Sequence, residues 1–318
     1  MKPLRAGNKL SSIESSVIIY PMNTQTQAYL YATASILCWS TVASAFKLSL
    51  DYLGFVELLF YSSFTALCTL LVILLAGGKL GELKTWPRRE YLRSAGMGFL
   101  NPFLYYLVLF KAYSLLPAQE AQPLNFVWPI VLVLLSILIL RQKIHPSSLL
   151  AMAVSLIGVL VISTRGDILG WRVTHGSGVA LALGSAVIWA LYWIYGIKDK
   201  CDPIVRLCLN FAFGFTFVTL YLLFTAELRI PPLKGLFGAV YVGLFEMGLT
   251  FVFWLKALKL SRTTAQVSQL IYLTPFLSLL VIHFAVGESI YPSTLIGLVL
   301  IVTGILLQQY GERLLKRA

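Results

Sequence analysis

QEAQPLNFVWP, Gln119–Pro129, with the apolar run Ile130–Leu140 behind it, is the stretch that decides the fold. An Asn, a Trp and a helix-bending Pro stand in a segment otherwise written for lipid. A second stretch of the same make-up, QVSQLIYLTPF at Gln266–Phe276, lies half a chain later and also leads into an apolar run. Two copies of one polar-dotted hydrophobic segment predict an internally duplicated membrane protein, with these helices facing a central path.

The surrounding composition allows one class. Of 318 residues, 58% are hydrophobic and 12% charged, and the mean hydropathy is +0.82. Soluble domains carry about twice that charged share. A polar leader, residues 1–26, is expected to be disordered and cytoplasmic, because its Val17–Tyr20 patch is too short for a signal-peptide core. Ten apolar segments follow, near 27–48, 54–77, 91–113, 118–140, 147–164, 175–196, 203–226, 234–257, 263–285 and 292–310. A helix needs about 20 apolar residues to cross a bilayer. The runs lack the alternation of a membrane barrel, so helix is the remaining way to satisfy their backbone in lipid. Pro117, Pro146, Pro203, Pro232 and Pro292 fall at segment starts, where a missing amide costs nothing. Pro102, Pro123, Pro129 and Pro275 fall inside segments and predict kinks.

Lys and Arg set the orientation. With the N-terminus inside, 19 of the 25 fall on the inner side, which places both termini in the cytoplasm of a bacterial or archaeal cell. The net charge of +12 is then a topology signal, and nucleic acid is not an expected partner. Cys38, Cys68, Cys201 and Cys208 show no CxxC spacing, and His145, His175 and His283 form no ligand pair, so no metal site is expected.

The halves align. KIHPSSLLAMAVSLIGVLVI from Lys143 matches SIYPSTLIGLVLIVTGILLQ from Ser289, with Gly158 on Gly304 and Pro129 on Pro275. One residue of slippage puts LFKA (Leu109–Ala112) on WLKA (Trp254–Ala257), Asn101 on Glu246 and Gly98 on Gly243; Trp39 and Trp189 also correspond. The expected layout is a first repeat at 27–164, an external linker at 165–174, a second repeat at 175–310 and a basic cytoplasmic tail at 311–318. Five helices per repeat is an odd number, so the halves run oppositely through the bilayer, an arrangement recurrent in transporters with a midplane site.

These landmarks resemble the EamA-type branch of the drug/metabolite transporter superfamily over nearly the whole chain after residue 26. LCWST (Leu37–Thr41), EAQPLNFVWP (Glu120–Pro129), Trp254 with Lys259, and IYLTP (Ile271–Pro275) are more narrowly similar to bacterial aromatic amino-acid exporters. The resemblance implies an all-helical secondary transporter of the cytoplasmic membrane, exporting amino acids with aromatic or apolar side chains. Three positions depart from the pattern. Glu288 keeps a family Glu whose counterpart here is Gln142, Phe126 stands where the exporters commonly have Tyr, and Glu246 is an addition.

Polar groups at helix centres mark the candidate site, since an acid or base there costs about 2.5–3.5 kcal/mol on insertion scales. Glu246 reads either as a proton-coupling carboxylate or amine counter-charge, or as a buried acid bonded to another helix. Its mate Asn101 reads as a substrate contact or as interhelical glue. Glu120, close in sequence to Lys111, reads as a rim ion pair. Asn125 and Trp128, three apart, would share a helix face with Phe126 turned away, and Pro129 would free the Asn125 carbonyl. Trp39, Tyr106, Phe126, Trp128, Trp189, Tyr192, Trp254 and Tyr272 are candidates for the walls around a planar solute, while Trp193 reads as packing or an interfacial belt. Pro129 and Pro275 are the candidate hinges. No ATPase, HExxH or GxSxG signature is present, so no cofactor is implied and no enzyme is expected. Exporters or facilitators of sugars, nucleotide precursors, polyamines or drugs remain alternatives, as does a non-transporting membrane scaffold.

Overall fold

Proline and glycine punctuate a chain whose apolar runs otherwise have no reason to stop being helical. The computed structural model describes residues 23–140, 146–168, 173, 175–196, 199–225, 230–262, 267 and 269–315, and among these every regular element is a helix. The leader up to residue 22, Gln142 and Gln266 lie outside the described residues. Helix α1 (Thr24–Leu50) opens where the Asn23 side chain accepts from the Gln25 amide at 3.1 Å. Helix α2 (Phe55–Ala76) follows after a tight turn. Pro146, Pro203 and Pro292 are the first residues of α7 (Pro146–Ser163), α9 (Pro203–Thr225) and α13 (Pro292–Leu315). Pro87, Pro117 and Pro232 immediately precede α3 (Arg88–Gly98), α5 (Ala118–Asn125) and α10 (Leu233–Val242). Helix α13 runs into the stretch expected to be a tail.

Several long apolar runs are interrupted. Between α3 and α4 (Tyr105–Leu115) lies a wide π-type turn, Phe99–Leu104, in which Asn101 leaves the helical region at φ −147° and ψ 119°. Between α10 and α11 (Leu249–Leu260) lies a second wide turn, Gly243–Gly248. The fourth segment is two helices, α5 and α6 (Trp128–Leu140), parted at Phe126–Val127. In the ninth, a 3₁₀ turn at Gln269–Leu273 leads into α12 (Thr274–Val281). Gly176–Gly196 forms the unbroken α8. Among the described residues, Phe55–Ala76, Gly176–Gly196, Pro203–Thr225 and Leu233–Leu260 are long and apolar enough to cross a membrane by length and composition alone.

The halves pack crosswise. Helix α1 lies along α11 and α12, as α8 lies along α4 and α6; α2 covers the Gly243–Gly248 turn, as α9 covers the Phe99–Leu104 turn. Helices α7 and α13 pair with each other. Small residues permit these approaches. A side chain at Gly98 would strike the Asn210 carbonyl and Gly214, and one at Gly243 would strike the Ser62 carbonyl and Thr65. Gly158 and Gly297 meet the same way where α7 crosses α13. The outer surface carries large apolar side chains, among them Phe224, Phe237 and Phe284, as a lipid-facing belt requires.

Among the described residues, ion pairs stand at the two ends. At one, Lys79 pairs with Asp202, and Arg206 pairs with Glu90 and with Asp199 at 2.6 Å while lying over the Trp86 ring. Glu90, Asp199 and Cys201 converge as metal ligands can, but the Arg206 guanidinium already stands among them. Burial acts to raise the Asp199 carboxyl, yet the Cys201 amide and the Arg206 guanidinium outweigh it and hold Asp199 below the ordinary carboxylate range. At the other end Glu120 pairs with Arg165 at 2.7 Å, whereas Lys111, its neighbour in sequence, sits over the Phe55 ring. Glu288 accepts from the Ala118 and Gln119 amides at the start of α5, at 2.8 and 3.1 Å. Lys47 donates to the Tyr113 and Leu116 carbonyls.

The α7–α13 crossing has a direct test. Gly297→Val drives a side chain into Ile162 and the Gly158 carbonyl. It should lower the thermal stability of the detergent-solubilised protein by the equivalent of about 1–3 kcal/mol. Gly184→Ala, whose new methyl meets open space, should leave the melting curve unchanged or raise it.

Candidate central cavity

Each interruption in the helices turns side chains toward one place. Pro129 has no amide to offer the Asn125 carbonyl, so the helix expected to run through this point ends at Asn125 and restarts at Trp128. Asn125 and Trp128 therefore do not share the face of one helix, yet both border a cavity of about 480 Å³. The break also swings Phe126 inward, where it meets Tyr272 edge-on at 6.3 Å. Pro275 lies in the first turn of α12. Both candidate hinge prolines thus begin a helix, and neither bends one at its middle.

The cavity is walled by both halves. Trp39 on α1 packs against Trp254 and Phe251 on α11, at 5.5 and 6.1 Å. Its counterpart Trp189 on α8 stacks on Tyr105 of α4 at 4.7 Å and an interplanar angle of 27°. Trp128 and Trp193 face each other with near-parallel rings 6.5 Å apart. Asn125 accepts from the Tyr105 hydroxyl at 3.3 Å and donates to Ser185 at 2.8 Å, so its amide is held between α4 and α8. The lining runs from Phe46 and Tyr113 to Trp193 and Leu258.

Glu246 is the charged side chain of this wall. It sits in the Gly243–Gly248 turn, 8% exposed, and its Oε1 accepts from the Tyr106 hydroxyl at 3.0 Å. Its Oε2 has no hydrogen-bond partner. Two further buried oxygens bordering the cavity, Gln122 Oε1 and Thr274 Oγ1, are likewise unpartnered, as is the Trp193 indole nitrogen.

Of the residues singled out from the sequence, Trp39, Asn125, Phe126, Trp128, Pro129, Trp189, Glu246, Trp254 and Tyr272 border the cavity. Tyr106, Tyr192 and Asn101 do not. Tyr106 is fully buried behind Glu246. Tyr192 stacks against Trp189, and its hydroxyl accepts from Asn210 at 3.3 Å. Asn101 is fully buried beside that hydroxyl, on the side where the Phe99–Leu104 turn meets α9. The wide turns explain the placements of Asn101 and Tyr106. Each inserts backbone into its helix and rotates everything beyond it, so a regular helical wheel misplaces the faces of α4 and α11. Tyr105, Tyr113, Gln122, Phe251 and Thr274 join the wall without having been singled out, and so does Trp193, for which packing or an interfacial belt is the favoured reading from sequence. Trp193 had a usable signal in its position four residues after Trp189, one turn along the same face.

Comparison with known proteins accords with this architecture. The EamA-like transporter family matches the chain twice, over residues 26–164 and 176–308. An uncharacterized transporter, YvbV, of Bacillus subtilis is 27% identical over 92% of this chain and 95% of its own length. The aromatic amino acid exporter YddG of Ancylobacter novellus is 24% identical over 88% of this chain and 96% of its own. A solved crystal structure superposes with a TM-score of 0.65 at 21% identity, over 91% of this chain and 99% of the other, which speaks for the fold. With both halves matched separately, the protein is an integral protein of the inner membrane and belongs to the EamA-like transporter family.

Proposed function

We propose that the protein is a secondary transporter that carries a small organic solute through the central cavity by alternating access, without nucleotide hydrolysis. One observation carries the reading: a cavity of solute size where the two repeats meet, walled by aromatic rings from both and bordered by a buried carboxylate. In this reading the chain crosses the membrane ten times as two inverted five-helix repeats, residues 27–164 and 175–310, with both termini cytoplasmic. The Lys and Arg asymmetry supports that orientation. So does the crosswise packing, which an in-plane pseudo-two-fold axis would generate.

The end that carries Arg206 is the inner side in this orientation. The opposite end is shut by the Glu120–Arg165 pair, the Glu288 cap on α5 and the Lys47 contacts. These contacts support closure of the outer side. Amino acids with aromatic or apolar side chains are the first solutes to test, on the strength of the likeness to an aromatic amino acid exporter. A flat ring suits the walls formed by Trp128, Trp193 and Trp189. Glu246, whose titratable neighbours are the hydroxyls of Tyr105, Tyr106 and Tyr113, is the group on which proton exchange would turn.

Uptake of labelled tryptophan, phenylalanine, threonine and a polyamine into proteoliposomes tests the proposal. An aromatic amino acid should move saturably, and faster into an acidic lumen. Glu246→Gln should abolish the response to the proton gradient. Trp189→Ala should raise the half-saturating concentration about three- to ten-fold, the measure of a lost aromatic contact of about 0.5–1.5 kcal/mol. If none of the four solutes moves, the amino-acid reading fails. If no solute of any class moves, the transporter reading fails with it.

A further inference from the structure

The charge inside the cavity narrows what it can hold. Glu246 is an acid with its Oε2 unpartnered, and among the described residues bordering the cavity there is no Lys, Arg or His. The Lys and Arg side chains described in ion pairs stand at the two ends, as Lys79, Arg93, Arg165 and Arg206. A solute carboxylate in this space would meet no counter-charge, and one placed near Glu246 would meet a like charge. Burying an ionised carboxylate without a partner is among the most unfavourable events in a low-dielectric site. An ammonium group is the reverse case. It brings donors to Glu246 Oε2 and Gln122 Oε1, acceptors that lack them, and its positive charge is attracted by the indole faces around it. The neutral donors of the wall, the second Asn125 amide hydrogen and the Trp193 indole N–H, can bond a carboxylate but bring no positive charge to balance it.

From this we infer that the cavity binds an organic monocation, a protonated amine on an aromatic or apolar body with no carboxylate, in preference to the corresponding amino acid. The inference rests on the transporter reading and sharpens its substrate. Glu246 supplies the counter-charge, and Trp39, Trp128, Trp189, Trp193 and Trp254 supply the walls.

The test holds the ring constant and varies the charge. Phenylethylamine, phenylalanine and 3-phenylpropionate, a cation, a zwitterion and an anion, are titrated calorimetrically into the intact purified protein in detergent near neutral pH. The amine should bind at least about ten-fold more tightly than phenylalanine, and the anion should give no saturable heat. Glu246→Gln, checked for a native elution profile and melting curve, should weaken amine binding by about ten-fold or more while leaving the neutral 2-phenylethanol unaffected. The ligand series on the unaltered protein needs no variant, so a folding defect in Glu246→Gln cannot mask the result. Phenylalanine or the anion binding as tightly as the amine overturns the inference, and so does absence of amine binding. In either case, saturable movement of an amino acid in proteoliposomes would leave the transporter reading intact.

Discussion

Hydrocarbon offers no partner to an amide or a carbonyl, so a helix that breaks within a membrane must break against protein or around a cavity. The departures from regular helix at Phe99–Leu104, Phe126–Val127, Gly243–Gly248 and Gln269–Leu273 obey that constraint. Two are covered by helices of the opposite half, α9 and α2. The other two border the cavity through Phe126 and Tyr272. The glycines that let the covering helices approach are consequences of the same requirement. A wide turn exposes backbone, which a neighbouring helix at close range and a side chain such as the Thr250 hydroxyl on the Phe245 carbonyl cover.

Much of this was legible in the chain. Proline at segment starts, glycine at matching offsets and the placement of Lys and Arg are local signals, and each has one physical meaning in a membrane. The repeat was legible for the same reason: Pro129 and Pro275 must both interrupt a helix, and Gly98 and Gly243 must both admit a neighbour. What the sequence hides is phase. A helical wheel assumes about 100° per residue, and one wide turn shifts all that follows, which is how Tyr106 came to stand behind Glu246 and Tyr105 to reach the cavity. Partners distant in the chain are hidden too. Glu120 lies nine residues from Lys111 and forty-five from Arg165, and the nearer base is not the one it bonds.

The two ends and the middle use charge differently. At the ends, acids and bases are matched, and Arg206 alone engages Glu90, Asp199 and the Ser94 hydroxyl. In the middle, the acid has a tyrosine hydroxyl on one oxygen and nothing on the other. The duplication is therefore unequal where it matters most. The position that is Glu246 in one half is Asn101 in the other, and the Asn is sealed against α9 instead of facing the cavity. Among the described residues the cavity thus has one acid, on the second repeat, with no counterpart facing it from the first.

The Phe126–Tyr272 contact lies differently. These two residues occupy equivalent positions of the two repeats, and they touch each other. Contacts between unlike positions have a distinct twin elsewhere, as the approach of Gly158 to Gly297 is echoed by that of Gly304 to Ala151. A contact between equivalent positions is its own twin. In an exchange of conformations between the halves, a contact between unlike positions would become its twin's, whereas this one would map onto itself, as would the Ser155–Ile301 contact where α7 crosses α13. The ring pair is a fixed contact of such an exchange, and the two repeats differ there by a single hydroxyl, Phe against Tyr.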